Sequence, residues 1–349
     1  PSSRVAPTRV LAVACLGAFL AFLDSTIVEI AFPPIKESFP EASLGALSWV
    51  LNGYNIAFAA CLIVFCRLTD LIGRRRAFVI GNVVFAVASG LCGVAPTLEL
   101  LVVFRVLQGL GAALLVPASL ALVVSAFATG RRTQAIGVWG ASAAAAAGLG
   151  PPIGGLLIDM GGWRWAFLIN VPVGLVTILL ARRLLVESRA PGRRTMPDLG
   201  GAALLAVGIA FLNLGIVKGT DWGWTSVGVL GSFAMAGVLG WLFVASSRRH
   251  REPLLDPALL RVRTFAVSSL ALLVTGLGFF ANGLTNILWL QSVWQYSVLE
   301  SGLALVPGAL IAGVVALALG PLAERYDYRL FIVPGALLWA SAFVWYNER

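Results

Sequence analysis

Apolar residues run in eleven long stretches along this chain, each parted from the next by a short polar or basic segment. They lie at approximately 10–32, 45–66, 77–95, 98–127, 134–158, 165–187, 199–217, 226–246, 265–290, 302–322 and 330–346. About 20 apolar residues wound as helix cross the hydrocarbon of a bilayer. The pattern therefore predicts an all-α integral membrane protein with eleven spans. The first run is too long for the apolar part of a signal peptide and no small-residue cleavage site follows it, so the first span is expected to stay.

Composition agrees with the pattern: 59% of residues are hydrophobic and 12% charged, against roughly 25% charged in an ordinary soluble domain. The net charge of +9 points to topology rather than to nucleic acid. Most Lys and Arg fall in loops on the amino-terminal side, while the opposite side holds only Lys36, Arg164, Lys218 and Arg349. By the positive-inside rule this predicts a multi-pass protein of the cytoplasmic membrane with its amino terminus in the cytoplasm. Trp49, Trp163, Trp165, Trp222, Trp224 and Trp294 then fall near the outer interface, where amphipathic rings belong. Cys15, Cys61, Cys66 and Cys92 lack metal-ligand spacing and read as small packing residues.

Two acids interrupt the first span, in FLAFLDSTIVEIAFPP at 19–34. Five residues of helix separate Asp24 from Glu29, a rotation of about 140° and a rise of roughly 7.5 Å, so they form two sites rather than a dyad. Counted from the outer helix ends, Asp24 lies about 13 Å deep, Glu29 about 6 Å, and Arg105 of the fourth span about 10 Å. A lone charge near mid-membrane costs on the order of 2.5–3.5 kcal/mol, which predicts that Asp24 and Arg105 face the bundle interior or a wet cavity. Asp24 is then a candidate to bind a proton or a cation in alternation; the same pair would also serve as a fixed tie between two spans. Glu29, near the outer headgroups, is a weaker candidate for coupling. Asn52, Tyr54, Asn55, Gln108, Asn282 and Asn286 are candidates to line a cavity, and interhelical hydrogen bonding is their alternative role.

Two basic turns repeat: CRLTDLIGRR at 66–75 and GPLAERYDYR at 320–329 both place Leu third, an acid fifth and Arg tenth. Internal repeats around a midplane site mark secondary transporters. The turns are eight spans apart, where two six-helix bundles would set them six apart, so two spans are expected as an insertion. The domains expected are a six-helix bundle at 1–190, two inserted helices at 191–250, and the first part of a second bundle at 251–349.

Several of these segments resemble one known family. RLTDLIGRRR, with Asp70, Gly73, Arg74 and Arg75, is similar to the loop signature of the major facilitator superfamily, although Cys66 stands where that signature prefers Gly and Leu71 where it often has Arg. FRVLQGLGAA at 104–113 resembles its fourth-helix motif. GLGPPIGGLL at 148–157 resembles the fifth-helix motif of its antiporters, with Gly137 matching upstream and Ala146 replacing a usual Gly. LDSTIVEIAFP at 23–33 and WRWAFLINVPVG at 163–174 resemble the fourteen-helix drug:proton antiporter branch, which usually carries Asn where Glu29 stands.

The resemblance implies a two-bundle transporter that exports lipophilic or cationic small molecules in exchange for protons. Asp70, Gly73 and Arg74 would form a latch for one transport state; in physical terms Asp70 would meet the positive end of another helix. Gly137, Gly150, Pro151, Gly154 and Gly155 would form a tight antiporter seam. A second half of six spans would run to a fourteenth, whereas this sequence reaches its eleventh; the expectation is a chain short of three spans that cannot exchange as a monomer. The expected partners are the lipid bilayer, a small-molecule substrate and protons, with no nucleic acid and no cofactor. No nucleoside-triphosphate loop of the GxxxxGK[ST] form occurs. An importer of a polar nutrient is the nearest alternative and a non-transporting membrane receptor or scaffold the next. An enzyme is not expected, since no metal cluster or nucleophile–base set is apparent in the sequence.

Overall fold

The computed structural model describes residues 6–189, 198–250, 257–323, 326 and 329–347. Among them all regular structure is helical. The helices are α1 (Pro7–Ile30), α2 (Phe32–Ser38), α3 (Leu44–Ile72), α4 (Arg74–Gly93), α5 (Leu98–Ala126), α6 (Thr129–Gly161), α7 (Trp165–Leu168), α8 (Asn170–Leu184), α9 (Leu199–Trp222), α10 (Val227–Arg249), α11 (Arg263–Ser292), α12 (Val298–Ala323) and α13 (Arg329–Asn347). Among the described residues nine spans are long and apolar enough to cross a membrane, α7 and α8 counting together as one, and α12 and α13 carry shorter apolar stretches, Val298–Gly308 and Leu330–Ala342. The second basic turn, 320–329, lies partly outside the described residues.

Sequence starts and stops shape the ends. Ser43, Thr97, Asp198 and Ser226 cap α3, α5, α9 and α10 by accepting backbone N–H bonds, which satisfies donors left free by the first helical turn. Gly73 ends α3 with φ 109°, a conformation that L side chains avoid, so the chain reverses directly into α4. α3 runs six residues past the apolar stretch expected at 45–66, because helical hydrogen bonding continues through polar side chains while hydropathy stops at them.

α5 is the centre of the first six spans, packing against α1, α3 and α4; α6 lies along α1, and α8 along α4. Lipid gives apolar helices no hydrophobic reason to associate, so close approach through small residues carries the packing. A Cβ added at Gly81 would lie 2.7 Å from Leu115 N, one at Gly111 2.6 Å from Phe85 N, and one at Gly109 2.5 Å from Tyr54 O. These crossings hold α5 against α3 and α4 and bring its polar residues into the interior. α9 and α10 form a hairpin that rests on α3, and α12 lies against α6.

Candidate functional site

A fully buried polar network is built on α1, α4, α5 and α8. Asp24 is fully buried at 0% exposure and Arg105 at 1%; they form an ion pair of 2.7 Å through Arg105 Nη1 and Asp24 Oδ2. The other carboxylate oxygen, Oδ1, accepts from Gln108 Nε2 at 2.8 Å and from Asn170 Nδ2 at 2.6 Å. Ser89 Oγ accepts from both amides, at 3.0 and 2.9 Å, and donates to the Phe167 carbonyl at 2.9 Å. Arg105 also donates from Nη1 to Gln108 Oε1 at 2.7 Å and from Nε to the Val50 carbonyl of α3 at 2.9 Å. Its guanidinium lies 4.2 Å from the Tyr54 ring centre, where the ring face attracts a cation.

The spacing on α5 makes this possible. Arg105 and Gln108 are three apart and so share a face, and Gly109 beside them lets α3 approach. The set is charge-balanced, one carboxylate against one guanidinium, with hydrogen bonds on both carboxylate oxygens. A buried pair survives only with such support, and removing one partner strands the other at a cost of about 3–5 kcal/mol.

Other expected site residues lie elsewhere. Gln108, a candidate for the cavity lining, is fully buried in this network, and Tyr54 is buried against Arg105 with its hydroxyl donating to the Ala21 carbonyl at 3.4 Å. Asn52 is half-buried and donates to Ser48 Oγ at 3.3 Å, while Asn55 is exposed. Glu29 is half-buried on a different side of α1 from Asp24; it faces Gly283 of α11, where an added Cβ would lie 3.6 Å from Glu29 Oε2. Asn282 and Asn286 are half-buried on that same helix.

The seam residues divide between two neighbours. Gly150 and Gly154 lie against Thr26, Ile27 and Ile30 of α1. A Cβ at Gly155 would lie 2.7 Å from Leu299 Cα of α12, and one at Gly302 would meet the Pro151 carbonyl. Gly137 lies outside this junction, because a Cβ there meets open space. It sits 13 residues before Gly150, roughly 20 Å along the helix.

In the basic turn Arg74 Nη2 lies 3.5 Å from Asp70 Oδ1. Sequence reasoning missed the group that organises this turn, Glu187, which follows α8. Its carboxylate accepts the backbone N–H groups of Arg75 and Arg76, each at 3.1 Å, while Arg74 N–H donates to the Ser188 carbonyl at 2.9 Å. Any side chain at Gly73 would run into Glu187. An anion here satisfies free donors at the amino end of α4. Asn170 and Ser89 were missed as well. An acid just past a span, opposite a basic turn, was the available signal for Glu187; for Asn170 and Ser89 it was a neutral polar side chain inside a span, the same signal that marked Asn52 and Gln108.

The family model described as Major Facilitator Superfamily matches residues 14–347. The chain belongs to that superfamily. The Tetracenomycin C resistance and export protein of Streptomyces glaucescens is 36% identical over 326 residues, covering 91% of this chain and 60% of that protein. Multidrug resistance protein Stp of Mycobacterium tuberculosis is 35% identical over 321 residues, 92% of this chain and 59% of its own length. Cephamycin export protein CmcT of Amycolatopsis lactamdurans is 34% identical over 343 residues, 97% of this chain and 70% of its own length. The chain thus spans about 60% of the length of the first two relatives. Among solved structures, a peptide transporter of the POT type matches with TM-score 0.60 at 16% identity, over 91% of this chain and 69% of that one, a likeness of fold alone.

Proposed function

We propose that this chain serves proton-coupled export of lipophilic or cationic small molecules across a bacterial cytoplasmic membrane, with its amino terminus in the cytoplasm. The observation that carries the reading is the buried Asp24–Arg105 pair at the meeting of four helices. Names of the relatives, which include export proteins and a multidrug resistance protein, support export as the direction. The seam where α6 meets α1 and α12, and the basic loops on the amino-terminal side, agree with an antiporter so oriented. α1 to α8 make up one half, α9 and α10 an insertion, and α11 onward belongs to the second half.

Proton coupling follows from the electrostatics of the pair. Protonating Asp24 removes the charge that balances Arg105, and a stranded guanidinium in this interior costs several kcal/mol. The helices carrying the two groups must then rearrange, or Arg105 must find another anion or water. The proton thereby acquires a preference for one arrangement of the bundle, which is what shifts a population between two states. A fixed ion pair that only ties α1 to α5 would lack this link.

Exchange in proteoliposomes tests the proposal, using this chain alone and fused to the remaining C-terminal part of a relative of which it spans about 60%. A pH gradient should drive export of a cationic dye, and Asp24→Asn should abolish that drive while leaving membrane insertion intact, because the amide keeps the shape but cannot titrate. Unaltered gradient-driven exchange by Asp24→Asn, or no export by either form, would overturn it.

A further inference from the structure

Two amides donate to the same oxygen of Asp24, and they are not equivalent. Gln108 is held at both ends: Nε2 donates to Asp24 Oδ1 and Ser89 Oγ, and Oε1 accepts from the Arg105 guanidinium at 2.7 Å. Asn170 repeats only the donor half of that pattern, with Nδ2 2.6 Å from Asp24 Oδ1 and 2.9 Å from Ser89 Oγ. Its own Oδ1 is fully buried and has no hydrogen-bond partner among the described residues. The start of α8 places it there. Pro172 stands in the first turn of that helix, where a missing N–H leaves no helical bond unmade, so α8 begins at Asn170 beside the network.

A buried acceptor left unpaired is costly, and such a group in a native interior calls for a reason. Protonation of Asp24 supplies one. An ionised carboxylate only accepts, which holds Asn170 with its N–H groups inward; a protonated carboxyl has an O–H to donate. Both groups now against Asp24 Oδ1 are themselves donors, so that O–H would lack an acceptor. Half a turn of the Asn170 carboxamide exchanges its nitrogen and oxygen and brings the unpaired Oδ1 to the place it needs. Asp24 Oδ1–H then donates to Asn170 and still accepts from Gln108, while Oδ2, now the carbonyl, keeps its bond from Arg105. The Ser89 hydroxyl rotates to donate to the same amide oxygen. Gln108 cannot turn in this way, because its N–H groups would meet the guanidinium that its oxygen now binds.

We propose that Asn170 is a proton-dependent amide switch: a positioning residue that donates to ionised Asp24 and turns over to accept the proton of neutral Asp24. Only hydrogen bonds change, and the proton that arrives stays on Asp24. The switch rests on the proton-coupled reading above and deepens it, for it seats the proton while leaving the Arg105 charge uncompensated, and that charge then drives the rearrangement. Among the described residues the charged group against Asp24 is Arg105 of α5. The Tyr54 hydroxyl of α3 and the Cys92 thiol of α4 are the other titratable groups beside it. The charges of α6 and α8 lie toward their ends, at Arg131, Arg132 and Asp159 and at Arg182 and Arg183.

Acid-induced infrared difference spectra of the purified chain in detergent, without a gradient and in a Glu29→Gln background, provide the test, with heavy carbon in the asparagine carboxamides to isolate their carbonyl bands. Acid should raise the carboxyl band of Asp24 and, in step with it, move one asparagine carbonyl to lower frequency, because an unbonded C=O becomes a hydrogen-bonded one. An amide that only donates would do the opposite, its carbonyl rising as the carboxylate is lost. Asp24→Asn should remove both changes. Asn170→Leu should remove the asparagine shift and move the carboxyl band to higher frequency, its O–H now without an acceptor. If Asn170→Leu fails to fold, Asn170→Gln serves instead, and the downward shift should pass from labelled asparagine to labelled glutamine.

An asparagine carbonyl that stays or rises while the Asp24 band appears would overturn the switch and leave proton coupling standing. No acid-dependent band from Asp24 would overturn both. Both shifts in a protein without gradient-driven export leave the switch standing and remove the export reading.

Discussion

Asp24 and Arg105 stand out in the sequence because a charge inside a span carries a penalty that something must offset, and the structure shows their contact. Their neighbours do not stand out. Asn170 and Ser89 are neutral, short and inside spans, so nothing in their cost separates a network member from ordinary helix packing, and only the crossing of α4, α5 and α8 brings them to Asp24. The two classes predict different outcomes on substitution. Arg105→Lys keeps the charge but forfeits the planar fork that reaches Asp24, Gln108 and the Val50 carbonyl together. Losing one charged hydrogen bond there costs about 1.5–3 kcal/mol, and exchange driven by a pH gradient should fall about tenfold or more; wild-type coupling in that variant would mark Arg105 as a structural tie. Asn170→Leu should insert normally yet lower the thermal midpoint in detergent, because Asp24 Oδ1 loses one of its two donors, and an unchanged midpoint would count against the network.

Helix order was legible because span length and alternating basic loops follow directly from the bilayer. Helix ends were less so, as the extension of α3 to Ile72 shows. The basic turn between α3 and α4 looked like a self-contained signature, but its donors are satisfied by Glu187 from beyond α8, a contact 111–112 residues away in sequence. Gly73→Ala should therefore destabilise the first half twice over: by about 1–3 kcal/mol for an alanine held at φ 109° and ψ 139°, a region left essentially to glycine, and further as its methyl displaces Glu187. Glu187→Ala should cost about 0.5–2 kcal/mol as a lost cap, with Glu187→Asp intermediate; thermal denaturation followed by circular dichroism measures all three. At the opposite end, Gly155→Leu should force α12 away from α6 and reduce exchange, whereas Gly137→Leu, which meets open space, should leave it near the parent value.

The whole molecule sets the first six spans around one charge-balanced centre and brings α12 against them along the glycine and proline residues of α6. Rocking of one half against the other around a midplane site is how such folds transport. On the proposed reading, the Asp24–Arg105 pair at that centre is what gives the proton a means to bias that motion. Acid-induced infrared difference spectroscopy on the purified protein tests this most directly, in a Glu29→Gln background that silences the other carboxyl of α1. Acidification should produce the carbonyl band of a protonated buried carboxyl, substrate should remove it, and Asp24→Asn should abolish it. A band that persists in Asp24→Asn, or one indifferent to substrate, would contradict the assignment of the transported proton to Asp24.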